Sequence, residues 1–432
     1  MPYRRALPYV GAMMLAASLG TMPTPAFAQD GVIEASDAGD TAWILGATLV
    51  LLLAALPGIA LFQAGRARTD AFVAMLLQPV AVATAISLAW IMVGYTIAFG
   101  DVSSGWLGNG NAWMLIQLGN VRDGLTVPES AFAMFQIACA ALAGTLMTGA
   151  WAGRGRFGWI VLFGFLWSIV VLAPVVHWVW GGGWLASAAG TIDFAGGLTL
   201  ELCAGTSALV TALLMGRSGD FARPRSKGLS PAALVGAAFL WIGWLALCGG
   251  SAFGANDDAA TAMLCAHAAA CAGGLARLAL DRARREPPRP AAFACGVVAG
   301  LAAIAPAAVY VSPGAAIAIG ALGSLASAGA AVVVRHLRID DRLDVFALFA
   351  VPGALGALLL APFMGQAAGG TGYDAGMNPV AQFVAQVIGV LVIAAWSAIG
   401  SAIIALMCSL AFPMRVSEAS EEAGLDTATH GE

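Results

Sequence analysis

The sequence is poor in charge, since 10% of its 432 residues are charged while 60% are hydrophobic. A soluble domain usually carries roughly 25% charged residues and about 45–50% apolar ones. A chain with so little charge could not cover a water-facing surface, which excludes a soluble globular protein. Lysine is nearly absent, and no basic stretch resembles one that follows a nucleic acid groove. We therefore expect no nucleic-acid partner.

The sequence also lacks the side-chain groupings that disulfide frameworks, metal sites and hydrolytic enzymes need. Its seven cysteines lie inside apolar runs without any Cys-x-x-Cys pair, so we interpret them as small apolar residues of helix interfaces. Of the four histidines, only His267 is expected to lie deep, as a packed neutral side chain. Because there is no nucleophile motif and no phosphate loop, we predict no cofactor and no enzymatic activity.

The N-terminus has the pattern of a secretory signal. A short basic region precedes an apolar stretch over residues 10–19, and Ala-Phe-Ala follows at residues 26–28. Small residues in this spacing are typical of a cleavage site. We predict that residues 1–28 are removed and that the mature N-terminus lies in a bacterial periplasm. The alternative is an additional, uncleaved transmembrane helix.

Eleven apolar runs follow the predicted signal. A helix that crosses lipid needs about 20 mostly apolar residues. The runs are continuous and do not alternate with polar residues, which excludes the strands of a membrane barrel. The sequence therefore predicts an all-α polytopic membrane protein. The runs cover residues 41–63, 71–99, 131–151, 157–179, 193–216, 230–250, 257–280, 291–311, 313–334, 344–364 and 380–412.

The basic residues fall almost entirely in alternate loops. Seventeen lie on one side of the predicted membrane segments and only Arg122 lies on the other. By the positive-inside rule the crowded side is cytoplasmic, which places the N-terminus outside and the tail, residues 413–432, in the cytoplasm. An odd count of eleven fits two inverted repeats of five helices plus one. Asp193 and Asp344, which open the fifth and tenth runs from opposite sides, are a hint of such a repeat.

Polar residues inside the apolar runs are the candidates for function, because lipid makes them costly. Glu201 lies eight residues beyond Asp193, which is about 12 Å along a helix and near the bilayer midplane. It is either functional or a protonated side chain hydrogen-bonded between helices. Residues 177–187 carry three Trp around three Gly, and Ser251 ends the sixth run. Such Trp are ordinarily interfacial, although one ring facing a vestibule could hold a cation.

Together these segments resemble the ammonium transporter family, the bacterial branch of the Amt/Mep/Rh proteins. The resemblance rests on residues 57–65, 94–101, 177–187, 193–197, 339–346 and the tail 415–432. It covers residues 29–412 as one membrane domain and implies a homotrimer in the bacterial inner membrane. It also implies that the tail is regulatory and docks a trimeric PII-type signalling protein.

The resemblance implies an outer vestibule in which Trp180 and Ser251 contact ammonium and the buried Asp193 shapes the site. The ion then loses its proton, and ammonia crosses an apolar pore with the proton carried separately or left behind.

The chain departs from the family pattern inside the pore. Two adjacent His are usual there, and their positions correspond to Glu201 and Phe349. The usual pair of gate Phe corresponds to Cys139 and Leu247. We expect Glu201 to be a cation site or proton acceptor. Three functions stay open: an ammonium transporter with an altered pore, an ammonium receptor that hardly conducts, and a channel for another small solute.

Overall fold

The computed structural model describes residues 36–102, 105–116, 118–221 and 228–431, so the predicted signal segment lies outside it. Within these residues, eleven helices are long and apolar enough to cross a membrane, and each overlaps one predicted run. The predicted all-α polytopic fold is therefore confirmed. The helices are α1 Ala38–Arg66, α2 Thr69–Phe99, α3 Glu129–Trp151, α4 Phe157–Ser187, α5 Gly197–Met215, α6 Ser230–Gly250, α7 Asp257–Ala283, α8 Pro290–Ala307, α9 Pro313–His336, α10 Phe346–Phe363 and α11 Pro379–Ala411.

Short polar side chains cap the first turns of four of these helices. Because successive spans alternate in direction, these four odd-numbered helices begin on the same side of the molecule. Asp37, Asn256, Ser312 and Asn378 accept hydrogen bonds from first-turn amides of α1, α7, α9 and α11. The first amides of a helix have no partner inside it, and a side-chain oxygen satisfies one or two of them. The caps therefore fix where these apolar runs begin.

Glycines bring α1 and α6 into close contact. Gly236, Gly243 and Gly250 recur every seven residues on α6. A Cβ added at Gly236 would lie 2.1 Å from the amide nitrogen of Phe62, and one at Gly243 would lie 2.4 Å from the Cβ of Ala54. Lipid supplies no hydrophobic force between helices, so close backbone packing of this kind is what holds them together.

The helices α5 and α10 begin in the same way. A π-helical turn opens each one, over Gly197–Leu202 and Phe346–Ala350. Asp193 and Asp341 each accept a hydrogen bond from the amide five residues later, at 3.0 and 2.8 Å. The two helices therefore share a carboxylate cap and an irregular first turn, as two halves of a repeat would.

Asp344 is not the counterpart of Asp193, although the sequence pattern suggested it. Its backbone has a φ of 56°, and its carboxylate forms an ion pair with Arg66 at 3.6 Å. Asp344 lies too close to the first turn of α10 for its carboxylate to accept a hydrogen bond from the amides of that turn. Asp341 lies three residues earlier, and its carboxylate accepts the amide of Phe346. The equivalence of the two helices thus holds with Asp341 in place of Asp344.

The tail is docked on the arginine-rich side of the helices. It contains the short helix α12, Glu418–Ala423. The amide of Val416 donates to the carbonyl of Arg154 at 3.0 Å, and Leu425 is buried against the start of α2. The carboxylate of Asp426 accepts the amides of residues 73–74 at 3.0 and 2.8 Å. The tail therefore caps α2 from outside that helix.

Candidate functional site

Glycines hold Trp180 at the end of the main part of α4. Its indole nitrogen donates to the backbone carbonyl of Asp193 at 2.6 Å, and the side chain is half-buried. A Cβ at Gly181 would lie 2.0 Å from the carbonyl oxygen of Ala98, and Gly182 has a φ of 84°. Only glycine fits this turn without strain. The glycine run thus allows the tight turn after Trp180, and the indole hydrogen bond joins this predicted vestibule residue to the segment that precedes α5.

The carboxylate of Asp193 is fully used by the start of α5. It accepts the amides of Gly196, Leu198 and Thr199 at 3.2, 3.0 and 2.7 Å, and the hydroxyl of Thr199 at 2.9 Å. Burial raises the pKa of Asp193, while these hydrogen bonds oppose the rise. The carboxylate of Asp193 is therefore engaged by the first residues of α5.

Ser251 lies beside an aromatic cluster that sequence reasoning missed. Its hydroxyl donates to the carbonyl of Leu247 at 2.8 Å, which leaves its oxygen lone pairs available as acceptors. Two residues later, Phe253 has a φ of 51°, an uncommon conformation for a bulky residue. Its ring packs on Phe132 and Phe135, with centroids 5.0 and 5.7 Å away. Aromatic rings therefore lie close to Ser251 in the described part of the chain.

Glu201 is a buried carboxyl without a partner. Its side chain is 1% exposed, and neither oxygen has a hydrogen-bond partner among the described residues. A Cβ at Gly353 would lie 3.0 Å from Oε2, so the backbone of α10 runs directly beside the carboxyl. The hydrogen bond between helices that a structural Glu would need is not found in the described part of the chain, and an unpaired buried carboxyl calls for a ligand or a proton.

Phe349 lies in the corresponding turn of α10 and stacks on Trp244 of α6. The two rings are nearly parallel, at 15°, with centroids 6.4 Å apart, and both side chains are fully buried. The indole nitrogen of Trp244 has no partner among the described residues. Cys139 and Leu247, the other two predicted pore residues, belong to the same buried core. Nothing in the local sequence distinguished Trp244 from the other Trp.

Two histidines lie elsewhere than the sequence indicated. His267, expected to be deep and packed, is exposed on α7 with its ring 5.2 Å from that of Trp241. His177 is instead fully buried, with Nδ1 3.0 Å from the carbonyl oxygen of Ala98. Depth along a helix does not decide which face a side chain occupies, and His267 lies on the outward face. The cysteines are all free, and only Cys271 is not fully buried, as expected for interface residues.

A polar cavity of about 400 Å³ lies between the tail and the loops on the arginine-rich side. Arg342 and Asp220 form an ion pair at 2.6 Å in its wall, and hydrogen bonds from Arg342 hold the pKa of Asp220 below its usual range. Glu418 and Glu422 line the opposite wall. The cavity therefore lies between the tail and the helix ends on the arginine-rich side.

Residues 42–432 match the model of the family described as Ammonium Transporter Family. The chain is 35% identical over 430 residues to the "Ammonium transporter" of Aquifex aeolicus, covering 99% of both chains. It is 32% identical over 405 residues to the "Ammonium transporter" of Bacillus subtilis, covering 91% of this chain and 98% of the relative.

Solved structures give the same result. A "Sensor Amt Protein" superposes with a TM-score of 0.83 at 26% identity and covers 90% of this chain and 98% of its own. Mep2 of Saccharomyces cerevisiae superposes with a TM-score of 0.80 at 27% identity and covers 92% of this chain and 94% of its own.

Proposed function

Because this chain belongs to the ammonium transporter family, we propose that it recruits ammonium at an outer vestibule and conducts ammonia, with or without its proton, through a rebuilt pore. The proposal rests on family membership and on one observation in this chain: both carboxyl oxygens of Glu201 lack a partner among the described residues. The other site residues are assigned roles by their geometry.

Trp180 and Ser251 form the recruitment site in this proposal. An indole face attracts a cation with about 0.5–2 kcal/mol, and the free lone pairs of the Ser251 hydroxyl accept an N–H of ammonium. Asp193 links the two parts of the site. Its backbone carbonyl accepts the indole N–H of Trp180, and its carboxylate accepts the amide of Thr199 at the start of α5. Its negative charge also favours a cation that is losing water.

Glu201 is the group to which ammonium delivers its proton. A buried carboxylate without a partner is costly and is relieved either by a cation or by a proton. Ammonium supplies both, since an N–H proton passes to a carboxylate oxygen and leaves neutral ammonia and a neutral carboxyl group. Ammonia then moves on past Phe349, while the proton either follows separately or returns outward.

The test is the ammonium-evoked current of the purified protein in proteoliposomes, beside Glu201→Gln. We expect a current in the unmodified protein and its loss in the variant. Glu422→Gln makes the same chemical change at an exposed tail position and serves as the control. If Glu201→Gln leaves both the transport rate and its pH dependence unchanged, Glu201 has no role in the proton step.

A receptor that binds ammonium but hardly conducts is the second candidate function. The stack of Phe349 on Trp244 favours it, because two packed and fully buried rings fill the space at the turn of α10 that corresponds to the Glu201 turn of α5. Ammonium binding without any current and without uptake of methylammonium in the unmodified protein would support this candidate. Passage of other small neutral solutes, without uptake of methylammonium, would instead indicate a channel for another solute.

The remaining assignments follow from the family resemblance and the charge pattern. We propose a homotrimer in a bacterial inner membrane, with residues 1–28 cleaved, the N-terminus outside and the tail in the cytoplasm. N-terminal sequencing of the purified protein checks the cleavage. A PII-type protein is proposed to dock beside the tail, which already contacts α2. Co-purification that is lost on deleting residues 416–432 would support this, and its absence at every nucleotide condition would refute it.

A further inference from the structure

Three phenylalanines meet at the end of α6. The ring of Phe253 packs on those of Phe132 and Phe135 of α3, with centroids 5.0 and 5.7 Å away. A Cβ at Gly250 would lie 2.5 Å from the ring of Phe135, so this ring also rests on the backbone of α6. Because α3 is almost wholly buried within one subunit, the cluster packs against the interior of that subunit and not on a face that another copy could cover.

Phe253 is the ring of this cluster that water reaches. Phe132 is 5% exposed and Phe135 is 1% exposed, whereas Phe253 is only partly buried. The guanidinium group of Arg122 also lies over the ring of Phe132, 4.8 Å from its centroid, and occupies one of its faces. A cation that arrives from water can therefore meet the ring of Phe253 more readily than either of the other two.

The backbone holds Phe253 in a conformation that a phenylalanine rarely adopts. Its amide donates to the carbonyl of Gly250 at 2.9 Å, and its φ is 51°. This is the position after a helix end at which glycine is usual. Such a backbone is strained for a bulky residue, and strain of this kind is concentrated at ligand sites. The turn thus keeps a phenyl ring two residues from Ser251, where glycine would place no side chain.

The loop that follows Phe253 is anchored by a carboxylate and carries negative charge. Asp40 of α1 accepts the amide of Ala255 at 2.8 Å, which fixes the chain directly after the turn. Asp257 and Asp258 follow in the first turn of α7, and both are exposed. Clustered charge of one sign raises the local concentration of ions of the opposite sign. The segment next to the ring therefore favours cations.

The positive charge of Arg122 is neutralised within the same region. Its guanidinium group lies 3.2 Å from the carboxylate of Glu129 and donates to the backbone carbonyl of Phe99 at 3.1 Å. The ion pair weakens the repulsion that Arg122 would exert on a second cation at Phe253.

We propose that Phe253 is a specificity-determining residue of the ammonium site, with its ring holding the cation beside the hydroxyl of Ser251. The inference rests on the function proposed above and adds this residue to it. An ammonium ion presents its charge to the ring and one N–H to the hydroxyl oxygen. Sodium has no N–H to donate and binds through oxygen ligands, so a phenyl ring contributes less to its binding.

The test is isothermal titration of the purified full-length protein with ammonium chloride, at an ionic strength held constant by sodium chloride. We expect ammonium to bind about 2–30-fold more weakly to Phe253→Leu, which keeps an apolar side chain and loses the attraction of the ring for a cation. Phe253→Tyr keeps the ring and should bind within about twofold of the unmodified protein. Phe383→Leu makes the same change at an exposed ring of α11 and is the matched control.

Three results would each overturn the role of Phe253: unchanged binding in Phe253→Leu, an equal loss in Phe253→Tyr, or an equal loss in Phe383→Leu. An equal loss in the tyrosine variant would mean that the residue serves packing alone. Phe253→Met also lacks a ring and replaces the leucine variant if that protein does not fold. Titration measures binding and not current, so these results do not depend on whether the pore conducts. Failure of the unmodified protein to bind ammonium would instead refute the proposed recruitment site as a whole.

Discussion

A single substitution at Asp426 should loosen the docked tail. The carboxylate accepts the amides of Val73 and Ala74 at 3.0 and 2.8 Å, and these amides start α2. A hydrogen bond to a charged group contributes about 1.5–3 kcal/mol, yet loss of a helix cap costs only about 0.5–2 kcal/mol, since water replaces part of the bonding. We take about 1.4 kcal/mol for Asp426→Ala, which raises the undocked population about tenfold.

The burial of Leu425 limits the effect. Its side chain is 1% exposed in a small apolar cluster with Ala71 and Ala74. Burying a leucine contributes about 1.5–3 kcal/mol, so the tail of Asp426→Ala should open more often without leaving the surface permanently. Asp426→Asn keeps one acceptor oxygen without the charge and should give an intermediate effect.

Hydrogen exchange followed by mass spectrometry measures this opening. Amides of residues 416–431 should exchange about tenfold faster in Asp426→Ala, provided that reclosing is faster than exchange. Glu422→Ala, at an exposed position of α12, should leave the rate unchanged. Unchanged exchange in Asp426→Ala, or an equal change in Glu422→Ala, would show that the cap does not hold the tail.

Three further substitutions test the packing and the pore. Arg154→Met leaves Asp340 buried without its partner at 2.9 Å and should lower stability by about 3–5 kcal/mol; an unchanged thermal midpoint in detergent would contradict this. Gly236→Leu puts atoms where a Cβ is already 2.1 Å from the amide nitrogen of Phe62, so it should abolish the folded peak in size-exclusion chromatography; a normal peak would mean that α1 and α6 can separate. Phe349→Ala should raise the ammonium current at a stability cost of about 3–5 kcal/mol; a lower current in folded protein would show that the ring does not narrow the path.

The helices could be predicted from sequence because lipid leaves the backbone few options. Every amide and carbonyl in the hydrocarbon must be satisfied within the chain, so a continuous apolar run of sufficient length becomes a helix. The predicted runs therefore match α1 to α11, with differences only at the ends. The run predicted to end at residue 280 continues to Ala283, because the boundary is set by the turn at Arg285 and not by hydropathy.

Contacts between helices could not be predicted in the same way. Trp244 packs on Phe349 of α10, and Phe253 packs on Phe132 of α3. The sequence around Trp244 and Phe253 does not show these contacts. His267 shows the opposite error, since its depth was inferred while the face it occupies was not. The resemblance supplied the positions of Trp180 and Ser251, whereas their hydrogen bonds required the structure.

The helices α5 and α10 start alike and then differ at the two predicted pore positions, Glu201 and Phe349. Glu201 follows Asp193 by eight residues, and Phe349 follows Asp341 by the same number. Each acid caps a helix that opens with a π-helical turn, a feature often associated with functional sites. The same capped π-helical turn thus places the carboxyl group of Glu201 on α5 and the phenyl ring of Phe349 on α10. Since α10 supplies no proton acceptor at this position, a proton taken up by Glu201 in the proposed mechanism cannot pass to an equivalent group on the opposite half. Glu201 must release that proton to water or to an ammonia molecule before it can accept another.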